Sequence, residues 1–181
     1  YSPKLLSDNM LEFSGKPTDL LNALLVEFDS FTTNFQMAII NYIRFQKEDR
    51  REDLYLKLKS QKYDKEVELS ILRYFGTYKY LPAKNLMLEM ITNKNTYNYE
   101  YRLVSAYALG IYDDKEVRNI LMEGLKDLNW FVRKNSAISL SRMKLSKDEQ
   151  RKIYNLNDKY AKEIMDYIWN TKEMKKKKKN E

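Results

Sequence analysis

The 181-residue chain contains no cysteine and no histidine. Without cysteine there is no disulfide, no thiol nucleophile and no thiolate metal site, a pattern that fits a reducing compartment. Without histidine the commonest general base near neutral pH and the commonest metal ligand are both missing. A Ser-His-Asp triad and the usual zinc sites are excluded, and among the 26 Asp and Glu no pair stands out as catalytic. Four Gly and three Pro are too few to punctuate a many-stranded sheet. No run approaches the roughly 18 to 20 apolar residues that span a bilayer. The first residue is Tyr1, which suits a processed chain or an excised domain.

What is present points to helices. Hydrophobic residues make up 43% of the chain and aromatics 13%, enough to bury a core, and Leu, Lys, Glu, Met and Ala recur in long unbroken segments. The net charge of +7 is unevenly placed. From residue 171 onward, "TKEMKKKKKNE" holds six Lys against two Glu, while the body carries 27 bases and 24 acids. Such a tail has nothing to bury and is expected to be disordered over 175–181. Its functional use would be attraction to anionic lipid or nucleic acid, at about 1 kcal/mol per Lys near a charged membrane. "SGKPTD" (14–19) lacks the upstream Gly of a phosphate loop and places Pro17 after Lys16, so it is not one.

The organising feature is a repeat. "FQMAIINYIRFQ" from Phe35, "VELSILRYFGTY" from Val67, "YRLVSAYALGIY" from Tyr101 and "VRKNSAISLSRM" from Val132 start 32, 34 and 31 residues apart. In the last two, Arg102 aligns with Arg133, Ser105 with Ser136, Ala108 with Ser139 and Leu109 with Leu140. Each copy follows another helical stripe, at 20–28, 54–58, 86–91 and 120–125. The unit is therefore helix, short turn, helix. Asp64, Asn129 and Asp113 or Asp114 stand where N-caps are wanted, Pro82 falls in a first turn, and "SKDE" (146–149) reads as a capping box. In the last segment Tyr160, Ile164, Tyr167 and Ile168 form an i, i+4, i+7, i+8 stripe, with Trp169 beside it.

"LMEGLKDLNWFVRKNSAISLSRM" resembles the short variety of the HEAT repeat: an Asp in the turn, Val-Arg opening the second helix, then small residues before a Leu. Asp127, Val132, Arg133, Ser136, Ser139 and Leu140 hold those positions, with Ser141 where Gly is common. The preceding unit matches through Arg102, Ser105, Ala108, Leu109 and Gly110 but has no Asp in its turn; the second unit has Glu68 and the first Gln36 in place of the Arg. The resemblance covers about 17–143. It implies an all-α, right-handed α-solenoid of about four helical pairs, preceded by a helical or linker segment (1–16) and followed by C-terminal capping helices (144–174). It also implies structural roles for Arg102, Asp127 and Arg133, with Arg133 reaching carbonyls or Asp127 in the turns. The small residues would let second helices of neighbouring repeats approach closely, and Trp130 and Tyr99 would close helix starts.

HEAT arrays mostly bind macromolecules, so the expected function is a non-enzymatic scaffold or adaptor that holds a protein or peptide segment on a concave row of second helices. That row would run through Leu69, Arg73, Leu103, Tyr107, Lys134, Ile138 and Arg142. No cofactor, metal or small-molecule substrate is expected. The location would be the cytoplasm or the cytoplasmic face of a membrane, with the Lys-rich tail touching anionic lipid. The alternative is a nucleic-acid-binding or DNA-repair module, because certain HEAT-like DNA glycosylases use Trp and Asp in a cleft and Asp127, Trp130 and Arg133 cluster here. A mildly basic body makes nucleic acid the weaker partner.

Overall fold

The computed structural model describes the backbone of residues 17–177 and the side chains of 19–171. Among the described residues every regular element is a helix, and there is no strand. Ten α-helices follow in order: α1 (Pro17–Val26), α2 (Thr33–Gln46), α3 (Arg51–Ser60), α4 (Lys65–Tyr74), α5 (Leu81–Thr92), α6 (Tyr99–Ala108), α7 (Lys115–Gly124), α8 (Trp130–Arg142), α9 (Lys147–Tyr154) and α10 (Lys159–Lys177). The N-terminal segment 1–16 lies outside the described residues, as does the end of the basic tail, 178–181. The tail's first three residues, 175–177, are not disordered but prolong α10. Extending an existing helix needs no new nucleus, and Lys is a good helix former.

Helix starts follow the chemistry of their caps. Asn98 accepts from the N–H groups of Glu100 and Tyr101, Asn129 from Phe131 and Val132, and Asp114 from Val117. Ser146 and Glu149 close a reciprocal capping box on α9. Asp64 precedes α4 without capping it; its carboxylate instead accepts from the Thr33 hydroxyl. Asp113 leaves the cap to Asp114 and pairs with Arg118 at 2.6 Å.

The chain divides into two compact units that meet in sequence between Ala83 and Lys84. In the first, α2 packs on both α1 and α4, and α3 packs on α4. Leu21, Phe28, Ile39, Ile40, Ile43, Leu54, Ile71 and Phe75 are fully buried. Tyr74 is buried too, and its hydroxyl accepts from the Arg50 N–H (2.8 Å) and donates to the Glu48 carbonyl (3.1 Å), which anchors the connection from α2 to α3. Burial of the phenol, before any charge nearby, pushes its pKa up to about 12. Gln36, standing where later copies have Arg, donates to the Phe28 carbonyl at 2.9 Å.

In the second unit α8 is the central helix, packed on α6, α7 and α10. Its small residues answer to close backbones on two sides. Ser139 is fully buried and donates to the Ala106 carbonyl of α6 at 2.7 Å, and a Cβ on Gly110 would fall 2.7 Å from its Oγ. Asn135 reaches the Leu103 carbonyl at 2.7 Å. Ser136 faces a different neighbour: a Cβ on Gly124 of α7 would come within 2.3 Å of its Oγ. Ser105 likewise turns toward its own pair, donating to Met90 Sδ of α5 at 3.3 Å. The expectation that all these small residues separate second helices is thus corrected. Ser139 does so; Ser136 and Ser105 serve the contact inside a pair.

Two ladders of ion pairs run through this unit. Arg102 grips the fully buried Asp127 with Nε at 3.0 Å and Nη2 at 3.1 Å, a separation of 25 residues. Arg133 repeats the reach over 25 residues to Asp158, at 2.8 Å, and its Nε donates to the Asp127 carbonyl. The first helices carry the other ladder. Lys84 reaches Asp114 (2.9 Å) and Glu116 (3.1 Å), and Arg118 reaches Glu149 (2.7 Å), 31 residues on. The period of the sequence therefore recurs in the contacts, and it continues through α9 and α10.

Candidate protein-interaction face

Three adjacent second helices of this unit turn one face each to solvent. On α8, Phe131, Lys134, Ile138 and Arg142 follow at spacings of three, four and four, which puts them on one side of a helix. On α6 the equivalent positions are Glu100, Leu103 and Tyr107, and on α10 they are Tyr160, Glu163, Tyr167 and Thr171. All are exposed or half-exposed. Both α6 and α10 pack on α8. Arg142 joins α8 to α6: its Nη2 donates to the Tyr107 hydroxyl at 2.9 Å and its guanidinium carbon lies 4.6 Å from the ring centre. Arg133 stands 5.8 Å from the Tyr160 ring.

The face is rich in aromatic surface that the fold leaves uncovered. Tyr107 is 46% exposed, Phe131 57%, Tyr160 62% and Tyr167 66%. Leu128, in the turn before α8, and Trp130, at its first position, are exposed as well. Lone exposed apolar residues are ordinary; here several large ones stand exposed on helices that pack against one another. Its charge is balanced, Lys134 and Arg142 against Glu100 and Glu163.

Of the residues expected from the sequence, Leu103, Tyr107, Lys134, Ile138 and Arg142 are exposed or half-exposed, and a hydrogen bond joins Tyr107 to Arg142. Leu69 does not belong to any such face: it is 3% exposed, because α4 rotates it into the core of the first unit. Arg73 is exposed on α4 of that unit. Phe131, Tyr160 and Tyr167 are additions. Phe131 lies one turn before Lys134 in the same row. The expected stripe on α10 is corrected: Ala161, Ile164 and Met165 are buried, whereas Tyr160 and Tyr167 point the other way. Trp130 and Tyr99 stand at the first positions of helices capped by Asn129 and Asn98, with side chains about half in solvent rather than closing the helix start.

The supporting residues are held by electrostatics. Burial would raise the Asp127 carboxyl, but the Arg102 side chain, the Asn129 N–H and the charges of Arg102 and Lys94 outweigh it and lower the pKa. The Arg133 hydrogen bond, then the Ala161 N–H, lower that of Asp158. These pairs tie turns to helices rather than lining a cleft. In the first unit a recess of about 560 Å³ is lined by Leu25, Val26 and Leu56 together with Asp29, Lys57 and Tyr63. There the Tyr63 hydroxyl donates to Asp29, and Lys57 lies 3.7 Å from the same carboxylate. Among the described residues no group of His, Cys, Asp or Glu is placed to hold a metal ion, and no helix is long and apolar enough to cross a membrane. No family model, curated protein or solved structure matches the chain.

Proposed function

We propose that this chain is a non-enzymatic helical-repeat scaffold that captures a segment of another protein on the solvent-facing sides of α6, α8 and α10. Within that class it reads as a HEAT-like α-solenoid of right-handed pairs, with the second helices lining the concave side and α9–α10 extending the stack. The 25-residue reach of Arg102 and Arg133 to the next turn supports that reading, since ties between successive units are what keep a stack in register.

One observation carries the function: an uncovered row of Tyr107, Phe131, Ile138, Tyr160 and Tyr167 on three helices locked to one another. A preorganised row of anchors lets a flexible partner dock without the protein losing further freedom. Aromatic anchors flanked by Arg are the composition of binding hot spots. A cytoplasmic setting, on or off a membrane, fits the absence of cysteine from the sequence. The nucleic-acid reading is weaker here, because the charges on this face cancel and phosphate binding needs an excess of cations.

Selection of displayed random peptides against the purified chain tests the proposal. Enriched peptides should carry apolar anchors and lose at least about tenfold in affinity, about 1.4 kcal/mol, with Tyr107→Ala or Phe131→Ala, while helicity is unchanged. Peptides that bind both variants as tightly as the parent would place the site elsewhere. Duplex DNA binding that falls steeply with salt would favour the nucleic-acid reading.

A further inference from the structure

Where α6 and α8 finish, two polar side chains are held against each other. Arg142 Nη2 donates to the Tyr107 hydroxyl at 2.9 Å, and the guanidinium carbon lies 4.6 Å from the centre of that ring. Two more bonds keep the same stretches together: Asn135 Nδ2 donates to the Leu103 carbonyl at 2.7 Å, and Ser139 Oγ to the Ala106 carbonyl at 2.7 Å. Ile138 stands one turn before Arg142 on α8, and Leu103 one turn before Tyr107 on α6; both are half-exposed.

Every other arginine of the second unit, Arg102, Arg118, Arg133 and Arg151, lies within ion-pair distance of a carboxylate. Arg142 has no such partner among the described residues. The acids closest to the pair along the chain are engaged elsewhere. Asp113 holds Arg118 at 2.6 Å and the Lys144 N–H at 3.1 Å, Asp148 holds Arg151 at 3.2 Å, and Glu149 holds Arg118 at 2.7 Å. Of the acids on the binding face, Glu163 lies 3.6 Å from Lys159, and Glu100 stands about two helical turns before Tyr107. The Tyr107 hydroxyl accepts from Arg142, so its own O–H is left to donate, and Arg142 Nε and Nη1 make no hydrogen bond among the described residues. Unspent donors are thus gathered around one positive charge, and the ring limits how far the guanidinium can move. A planar fork of this kind matches a carboxylate, and a fork already held in place loses less freedom on binding. Lipid and nucleic-acid surfaces need several cations, whereas one acidic side chain needs one.

We propose that Arg142 and Tyr107 form a carboxylate site that selects an Asp or Glu in the captured segment, with Leu103 and Ile138 receiving the apolar side chain beside it. This rests on the scaffold reading, and the experiment separates the two. Random displayed peptides are selected in parallel on the parent chain and on Arg142→Glu, and the enriched sequences are synthesised and titrated. Peptides from the parent should carry an acid at a fixed spacing from an apolar residue. They should lose at least about tenfold in affinity when that acid becomes its amide, or on Arg142→Gln. Tyr107→Phe, which keeps the ring and removes the O–H donor, should weaken them about three- to tenfold. Selection on Arg142→Glu should enrich Lys or Arg in place of the acid. The acid-to-amide change leaves the chain untouched, so it reads the site even where a variant folds poorly. Peptides that depend on Phe131 but show no preference for an acid, or that keep their affinity in Arg142→Gln, would overturn the carboxylate site and leave the scaffold standing. An acid preference lost in Lys134→Gln and kept in Arg142→Gln would overturn it too. Peptides indifferent to both Tyr107→Ala and Phe131→Ala would remove the scaffold reading, and this site with it.

Discussion

Gly124 and Ser136 offer a quantitative probe of how tightly α7 and α8 are pressed together. Gly to Ala in a helix ordinarily stabilises by about 0.5 to 1 kcal/mol. Here the new Cβ would sit 2.3 Å from Ser136 Oγ and 3.2 Å from its Cβ, so the buried hydroxyl must turn aside and the two helices must give by a few tenths of an ångström. Overpacking of that kind costs about 1 to 3 kcal/mol. Gly124→Ala should therefore be net destabilising, by about 1 kcal/mol. The Ser136 hydroxyl is buried with no hydrogen-bond partner among the described residues, so Ser136→Ala should be neutral or stabilising by up to about 1 kcal/mol. In the Ser136→Ala background the worst clash disappears, and in Ser136→Gly the methyl added by Gly124→Ala has room. The double-mutant cycle should then give a coupling of at least about 1 kcal/mol between the two positions. Urea unfolding followed by helical circular dichroism measures all these variants, with an unchanged m-value as the control for two-state behaviour. A Gly124→Ala variant more stable than the parent, with coupling under about 0.3 kcal/mol, would refute the close approach.

Further outcomes follow from the ladders and the face. Asp127→Ala leaves Arg102 buried without its carboxylate and should destabilise by about 3 to 5 kcal/mol in thermal or urea unfolding, whereas Asp148→Ala, in an exposed pair, should change stability by under about 1 kcal/mol. The lowered pKa values of Asp127, Asp158 and Glu149 mean that their stabilisation is fully present above the unfolded carboxylate range, about pH 4 to 4.5. It should be lost as pH falls below that range, which an acid titration of the melting temperature detects; Asp158→Asn should flatten part of the slope. Tyr167→Ala should alter stability by less than about 1 kcal/mol, because most of its ring is already in solvent, yet weaken peptides selected on the parent chain.

Helix ends were legible because capping is local chemistry: Asn129, Asp114 and the Ser146–Glu149 box can be read from a few adjacent residues. The small residues of 136–139 likewise announced a close backbone, but not which one. Ser136 meets α7 and Ser139 meets α6, a choice set by helix rotation that one sequence leaves free. The same freedom explains Leu69, whose spacing fits the expected binding row but whose side chain is buried in the core. On α10, Tyr160 and Tyr167 compete with Ala161, Ile164 and Met165 for the buried side, and the smaller, wholly apolar set wins. Tyrosine can hold its ring at a surface with its hydroxyl in water, so its spacing alone was ambiguous. The Arg102–Asp127 and Arg133–Asp158 ties span 25 residues, beyond any local rule, and emerge only once α8 is placed between α6 and α10. Lys47 and Gln61 end their helices in left-handed conformation without glycine, which gave no warning in the residues themselves.

Amide-resolved NMR of the whole chain, titrated with a peptide selected on it, bears most directly on the proposed scaffold. The largest perturbations should fall on 100–107, 131–142 and 160–171, and a spin label on the peptide should broaden Tyr107, Ile138 and Tyr167 together. Perturbations confined to the opposite sides of these helices, or to one helix alone, would contradict a binding surface built from adjoining repeats.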